Sequence, residues 1–287
     1  MICTICPRRC GVERSEKPGF CAMPEGLRIA RAALHFWEEP VISGERGSGA
    51  VFFSGCNLRC VYCQNHNISA EGFGAEISTA RLREIFEELI DQGAHNINLV
   101  TPTHVVPWIL PALTPKLPVP VVYNCGGYES LDTLRQLEGK VDIYLPDLKY
   151  ADNALSAALS AAPDYYETAT AAITEMYRQV GDYTIENGIL QRGVVIRHLV
   201  LPGQLENTRR CIDWVARTFT PGQVLFSLMA QYTPQPGAEG VLARHVTAGE
   251  YRSAVEYTEN CGITDGFTQL RTSAKEEYTP PFDLTGV

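Results

Sequence analysis

The chain has 287 residues, 45% of them apolar and 20% charged, which is the balance of a folded domain and not of a disordered segment. Its net charge of −9 excludes a general basic face for nucleic acid or an anionic membrane surface. No apolar run approaches the ~18 residues of a membrane span, and the first nine residues hold no signal-like apolar stretch, so a cytoplasmic protein is expected.

In chain order, residues 1–49 come first. They carry Cys3, Cys6, Cys10 and Cys21, spaced C-x2-C-x3-C-x10-C, and end in the glycine-rich stretch Ser43–Gly49. So short a segment cannot build its own core, and it reads as a small, irregular Cys-rich module that needs a cross-link. Four thiols at this spacing suit a closed zinc site or a second [4Fe–4S] cluster, and the spacing does not separate the two. Disulfides are disfavoured in a reducing compartment.

From residue 50 to the C-terminus a second domain is expected. Apolar runs predict strands at 50–54, 96–100, 119–123, 141–145, 194–200 and 224–228. They are mostly continuous, as in parallel strands buried on both faces. Helices are predicted between and after them, at 79–92, 105–113, 131–138, 153–161, 164–181, 205–218 and 247–260, the first capped by Ser78 or Thr79 and stopped by Gly93. Alternating strands and helices mean right-handed βαβ units. Six units are too few for a closed eight-unit barrel. The expected fold is α/β, a partial (β/α)6 TIM-like barrel, with a doubly wound sheet as the alternative. In both, catalytic groups gather at the carboxyl ends of the strands.

The first of these strands runs into Gly55-Cys56-Asn-Leu-Arg-Cys60-Val-Tyr62-Cys63-Gln-Asn65, a C-x3-C-x2-C loop. Three thiolates on a four-iron cubane leave one iron open, which is what a reactive metal site requires. A zinc loop with His66 as fourth ligand, or three plain thiols, is the alternative. Cys125, Cys211 and Cys261 are scattered and read as ordinary buried thiols.

The Cys56–Cys63 loop, with an aromatic at Tyr62, resembles the radical S-adenosylmethionine (radical SAM) superfamily. The resemblance implies a [4Fe–4S] cluster on Cys56, Cys60 and Cys63. It also implies SAM bound to the open iron, reductive cleavage to a 5′-deoxyadenosyl radical, and a reductant such as flavodoxin or ferredoxin. Further segments resemble the pyruvate formate-lyase activating enzyme-like branch: Cys3-x2-Cys-Pro-Arg-x-Cys10, His35-x-Trp37-Glu-Glu-Pro40, Glu175-Met-Tyr-Arg-Gln-Val-Gly181, Arg197-His-Leu-Val-Leu-Pro-Gly203 and Gln231-Tyr232-x-Pro234. That branch implies abstraction of a hydrogen from a glycine of a partner enzyme. Chemistry on a small molecule or peptide is the second reading, and a non-catalytic zinc-binding module the third.

Around the expected mouth, Asn124, Gly126 and Gly127 resemble the superfamily's SAM-contacting glycine motif; glycines let carbonyls approach an ammonium. Asp147 and Lys149 resemble an Asp-x-Lys element beside SAM, the alternative being a solvated ion pair. Arg197 offers a fork for the SAM carboxylate or ribose. His198 reads either as a pocket-facing proton donor or as a core histidine, since strand neighbours face opposite ways. Glu175, Arg178 and Gln179 line the substrate pocket or form a surface pair. Met229, Gln231 and Tyr232 close the far side of the mouth or belong to the core.

Overall fold

The computed structural model describes residues 2–269 and 280–287. In chain order the elements are β1 (Leu27–His35), α1 (Pro40–Ser43), β2 (Ser48–Phe53), α2 (His66–Ser69), β3 (Ala75–Ile77), α3 (Thr79–Asp91) and β4 (Ile97–Val100). There follow α4 (Val106–Ile109), β5 (Val121–Cys125), α5 (Leu131–Leu137), β6 (Ile143–Pro146), α6 (Asn153–Ser160) and α7 (Tyr165–Val180). The remainder are β7 (Thr184–Glu186), β8 (Ile189–Leu199), α8 (Leu205–Thr218), β9 (Leu225–Met229), α9 (Ala248–Asn260) and β10 (Gly266–Thr268).

The sheet order is β10-β9-β8-β6-β5-β4-β2-β1-β3, with β7 paired to β8. From β2 to β9 the six expected strands are adjacent, parallel and in chain order. A doubly wound sheet reverses its order at a switch point. This one does not, so the partial barrel stands. β10 extends it, parallel to β9.

Two expectations are corrected. Residues 27–35 are not irregular: they form β1, antiparallel to β2 and to β3. The cysteine spacing drew attention to a cross-link, and the mixed sequence of an edge-side strand gave a weak signal. The helix expected at 105–113 is only the short α4 followed by a 3-10 turn over Leu110–Leu113. Pro107 and Pro111 lack the amide hydrogen a continuous helix needs. Elsewhere local chemistry sets the ends. The Ser78 hydroxyl accepts the Arg81 N–H at the start of α3, and Thr247 with Glu250 forms a capping box on α9.

The strand period of two divides the core. Outward residues such as Val121, Tyr123, Tyr144, Ile196 and Phe226 pack under the helices. Inward residues Val122, Ile143, Leu145, Val195 and Leu225 pack around Val41 and Ile42 of α1. His35 ends β1 opposite Ser48, the first residue of β2. The chain therefore leaves β1 at the amino end of the parallel strands, and α1 plugs that end. The cavity above the plug is thereby given a floor.

Candidate active site

One cavity of about 640 Å3 occupies the barrel above α1. At its mouth, Cys56, Cys60 and Cys63 come from the loop after β2 and all line it. None is in a disulfide. Each sulfur has a hydrogen-bonding neighbour. The Leu58 N–H donates to Cys56 Sγ at 3.4 Å, the Ser160 hydroxyl donates to Cys60 Sγ at 3.0 Å, and Ser69 Oγ lies 3.3 Å from Cys63 Sγ. Burial pushes the Cys56 and Cys60 thiols up, with neighbouring thiols adding to it and Lys149 opposing it. They are neutral until a metal takes the thiolate form.

Among the described residues no three His, Cys, Asp or Glu side chains converge as a single metal ion requires. A cubane gives each thiolate its own iron. Three free thiols in one loop, each with its own hydrogen-bonding neighbour, fit that donor set. His66 does not complete a zinc site: its Nδ1 lies 3.4 Å from Glu71 Oε1, and its side chain is 58% exposed.

Below the thiols is a buried ionic network. Arg197 donates from Nε to Asp147 Oδ1 (2.9 Å), from one terminal nitrogen to Asn124 Oδ1 (2.7 Å) and from the other to Glu38 Oε2 (3.2 Å). Lys149 donates to Asp147 Oδ2 at 2.6 Å. Burial alone would raise the Asp147 carboxyl, but Arg197 and Lys149 outweigh it and hold it below the usual range. Burial alone would lower Lys149 and Arg197, and the facing carboxylates hold both above their ordinary values.

Glycine is required at the turn after β5. Gly127 has φ +78°, and a Cβ there would collide with the Asp147 carbonyl. A Cβ on Gly126 would sit 2.8 Å from Leu58 Cδ1 of the thiol loop. The Tyr165 hydroxyl donates to the Gly126 and Asp147 carbonyls and accepts the Lys149 N–H. The ends of β5 and β6 are thus locked around one ring.

The structure sorts the expected residues. Tyr62, Asn124, Gly126, Asp147, Lys149 and Arg197 all line the cavity, as do Met229, Gln231 and Tyr232. Gly127 acts behind it, shaping the turn. His198 faces the other way. It is fully buried under α8, with Nδ1 2.6 Å from the Leu148 carbonyl and Nε2 3.0 Å from Thr208 Oγ1. Arg197 faces the lumen, so its strand neighbour cannot. The pocket-facing proton donor is therefore corrected to a core histidine, held neutral by burial, which lowers it to about 4. Glu175, Arg178 and Gln179 lie outside the barrel. Arg178 pairs with Glu175 and Glu138, and Gln179 joins Glu175 to Tyr144. The surface-pair reading holds there. Cys125 and Cys211 are buried, and Cys261 is partly buried.

Sequence reasoning missed Glu38, Glu39 and Ser160. The consecutive acids before Pro40 were a legible signal. Glu39 is buried at the cavity floor, Oε2 has no hydrogen-bond partner, and burial raises its carboxyl to about 7. Ser160 gave no signal, since it meets Cys60 from 100 residues away.

A partial α/β barrel with three free thiols at the carboxyl end of its first parallel strand, above a buried network of cations and carboxylates, has the layout of a barrel enzyme with its candidate active site at that mouth. The family described as the Radical SAM superfamily matches residues 50–215, more than half of the chain, and the chain belongs to that superfamily. It is 30% identical over 276 residues, covering 91% of this chain and 75% of the other, to the uncharacterized protein MJ0674 of Methanocaldococcus jannaschii. Among solved structures it is similar to Streptococcus suis SuiB bound to S-adenosylmethionine, with TM-score 0.53 and 14% identity. That match covers 77% of this chain, which spans about half of SuiB (50%). Methylornithine synthase (PylB) has TM-score 0.50 and 14% identity over 71% of this chain and 59% of PylB. At these identities the likeness is one of fold. Among the described residues no helix is long and apolar enough to cross a membrane.

Proposed function

We propose that the chain binds a [4Fe–4S] cluster through Cys56, Cys60 and Cys63 and abstracts a hydrogen atom from a substrate in the barrel. The observation that carries this reading is the meeting of the three thiols with the Asp147–Lys149–Arg197 network in one cavity. When bound and reduced by a low-potential donor such as flavodoxin or ferredoxin, the cluster supplies one electron for cleavage of SAM to methionine and a 5′-deoxyadenosyl radical. The chain's own residues bind, orient and exclude water. Lys149 and the free N–H groups of Arg197 suit a carboxylate. Asn124, Gly126 and Asp147 offer acceptors to an ammonium or to ribose hydroxyls. The α1 plug closes the far end.

As the reacting partner we propose a glycine of another enzyme, left as a glycyl radical when its hydrogen moves to the 5′ carbon. The motifs shared with the activating-enzyme-like branch support this. SuiB has been solved with a precursor peptide, SuiA, which supports a polypeptide substrate in a barrel of this fold. A small-molecule substrate is the second reading, supported by a cavity of ordinary small-ligand size. We propose further that residues 1–49 carry a second metal centre on Cys3, Cys6, Cys10 and Cys21, and that the chain works in the cytoplasm.

The test is anaerobic reconstitution, reduction and measurement of 5′-deoxyadenosine with deuterated candidate substrates. Deuterium in the product identifies the hydrogen donor. Replacement of Cys56, Cys60 or Cys63 by Ala should abolish product, and SAM cleavage retained in any one of the three would sink the assignment.

A further inference from the structure

The N-terminal cysteines and the catalytic loop are not independent. Before β1 the described chain has no helix or strand, only an isolated bridge between Ile2 and Glu13. Its order must come from contacts and cross-links. Cys3, Cys6 and Cys21 are buried and Cys10 is partly so, and none is in a disulfide. A Cβ on Gly19 would lie 3.4 Å from Cys21 Sγ and 3.5 Å from Cys10 Sγ, so these two sulfurs flank the same residue. Buried thiols gathered in a segment without a core of its own suit an iron–sulfur cluster as cross-link.

Arg8 lies between Cys6 and Cys10, two residues from each. Its guanidinium donates to three backbone carbonyls, none of them in its own module. Nε reaches the Asn57 carbonyl at 2.7 Å, and the terminal nitrogens reach those of Ser160 (3.2 Å) and Ala161. Asn57 follows Cys56. Ser160 donates its hydroxyl to Cys60 Sγ, and its carbonyl also accepts the Arg59 N–H. Arg8 thus ties the cluster loop to the end of α6, the two segments that place Cys60 and its hydrogen-bond donor. The Phe20 and Tyr128 rings lie against the group, 4.0 Å and 5.0 Å from ring centre to guanidinium carbon.

We propose that Arg8 is a positioning residue through which an iron–sulfur cluster on Cys3, Cys6, Cys10 and Cys21, where each thiolate takes its own iron, orders the catalytic loop. A metal on Cys6 and Cys10 fixes the backbone on both sides of Arg8. The fork then holds the Asn57 and Ser160 carbonyls without touching SAM. This rests on the reading of Cys56, Cys60 and Cys63 as the cluster ligands.

The test is equilibrium binding of radiolabelled SAM to the full chain, reconstituted anaerobically and kept oxidised so that nothing turns over. Arg8→Ala should weaken binding about tenfold, the effect of losing charge-assisted hydrogen bonds. Arg8→Lys, which keeps the charge but loses the fork, should recover only part of it. Cys3→Ala/Cys6→Ala should weaken binding as much as Arg8→Ala. Adding Arg8→Ala to that pair should add little, because Arg8 carries most of the effect; the loop's other tie to the module, Arg59 donating to the Phe20 carbonyl, is kept in all three variants. Thr133→Val removes another of the module's anchors, a hydroxyl donated from α5 to the Ile5 carbonyl and not from the thiol loop, and should leave SAM binding unchanged. The cysteine variant should hold about half the iron of the wild-type chain, since one of two clusters is lost. Unchanged binding in Arg8→Ala, independent effects in the combined variant, equal weakening in Thr133→Val, or unchanged iron in the cysteine variant would each overturn the proposal while leaving the cluster reading intact. A wild-type chain that takes up no SAM refutes the proposed function and this inference with it.

Discussion

Glu39→Gln removes one buried charge at the cavity floor while keeping the shape of the side chain. In the folded chain the Glu39 carboxyl rises from 4.5 to about 7. Burial is the largest cause, and the adjacent Glu38 adds to it. Arg197 and the Ser227 hydroxyl oppose it. Arg197 is already bonded to Asp147, Asn124 and Glu38, so its attraction for Glu39 does not cover the cost of burial. The sign follows from linkage. Between pH 4.5 and about 7 the folded chain keeps a proton that the unfolded chain releases, so stability is fully present below that window and declines as pH rises through it. At about 1.4 kcal/mol per pKa unit, the decline reaches about 3 kcal/mol by pH 8. Glutamine does not titrate. Denaturant unfolding of wild type and Glu39→Gln, at equal metal content from pH 4 to 8, should give curves that diverge by about that amount, with the variant the more stable at pH 8. Glu129 is raised to about 7 by burial as well, but it is present in both proteins and cancels. Parallel profiles would refute the picture of an uncompensated carboxylate beneath Arg197.

His198→Ala should cost about 2–3 kcal/mol in unfolding experiments, from a core cavity and an unpaired Leu148 carbonyl, while each folded molecule still binds SAM. Loss of SAM binding at full stability would return the histidine to the pocket. Ser160→Ala removes the hydroxyl donor to Cys60 Sγ, and the midpoint potential should move negative by about 50 mV in an EPR-monitored redox titration, from about 1 kcal/mol per hydrogen bond. An unmoved potential would show that the hydroxyl does not contact the bound cluster. Gly127→Ala forces a Cβ against the Asp147 carbonyl at φ +78° and should destabilise by about 2 kcal/mol or more, read from the denaturant midpoint. A neutral result would mean that the turn after β5 is free to move.

The local features were legible. A C-x3-C-x2-C loop after an apolar strand is contiguous in sequence, so its thiols stay together in any fold that keeps the loop. Six apolar runs alternating with helical segments marked the six parallel strands, because a strand buried on both faces must be apolar throughout. Asp147, Lys149 and Arg197 were legible for a related reason: each sits at or just beyond the carboxyl end of a strand, where barrels expose functional groups.

The tertiary structure decided what depends on register and on distant partners. Only the pairing of β8 with β6 and β9 settles that Arg197 faces the lumen and His198 the helices, since a shift of one residue would exchange them. Only the antiparallel pairing of β1 with β2 carries Glu38, Glu39 and the α1 plug to the barrel floor. The contact of Ser160 with Cys60 spans 100 residues and that of Arg8 with Ser160 spans 152, and no local pattern encodes either. By itself the sequence determined the chemistry of the thiol loop, because that chemistry needs only neighbours along the chain. The fold decided which other groups reach it, because closing the barrel is what brings strand ends and the N-terminal segment within hydrogen-bonding distance.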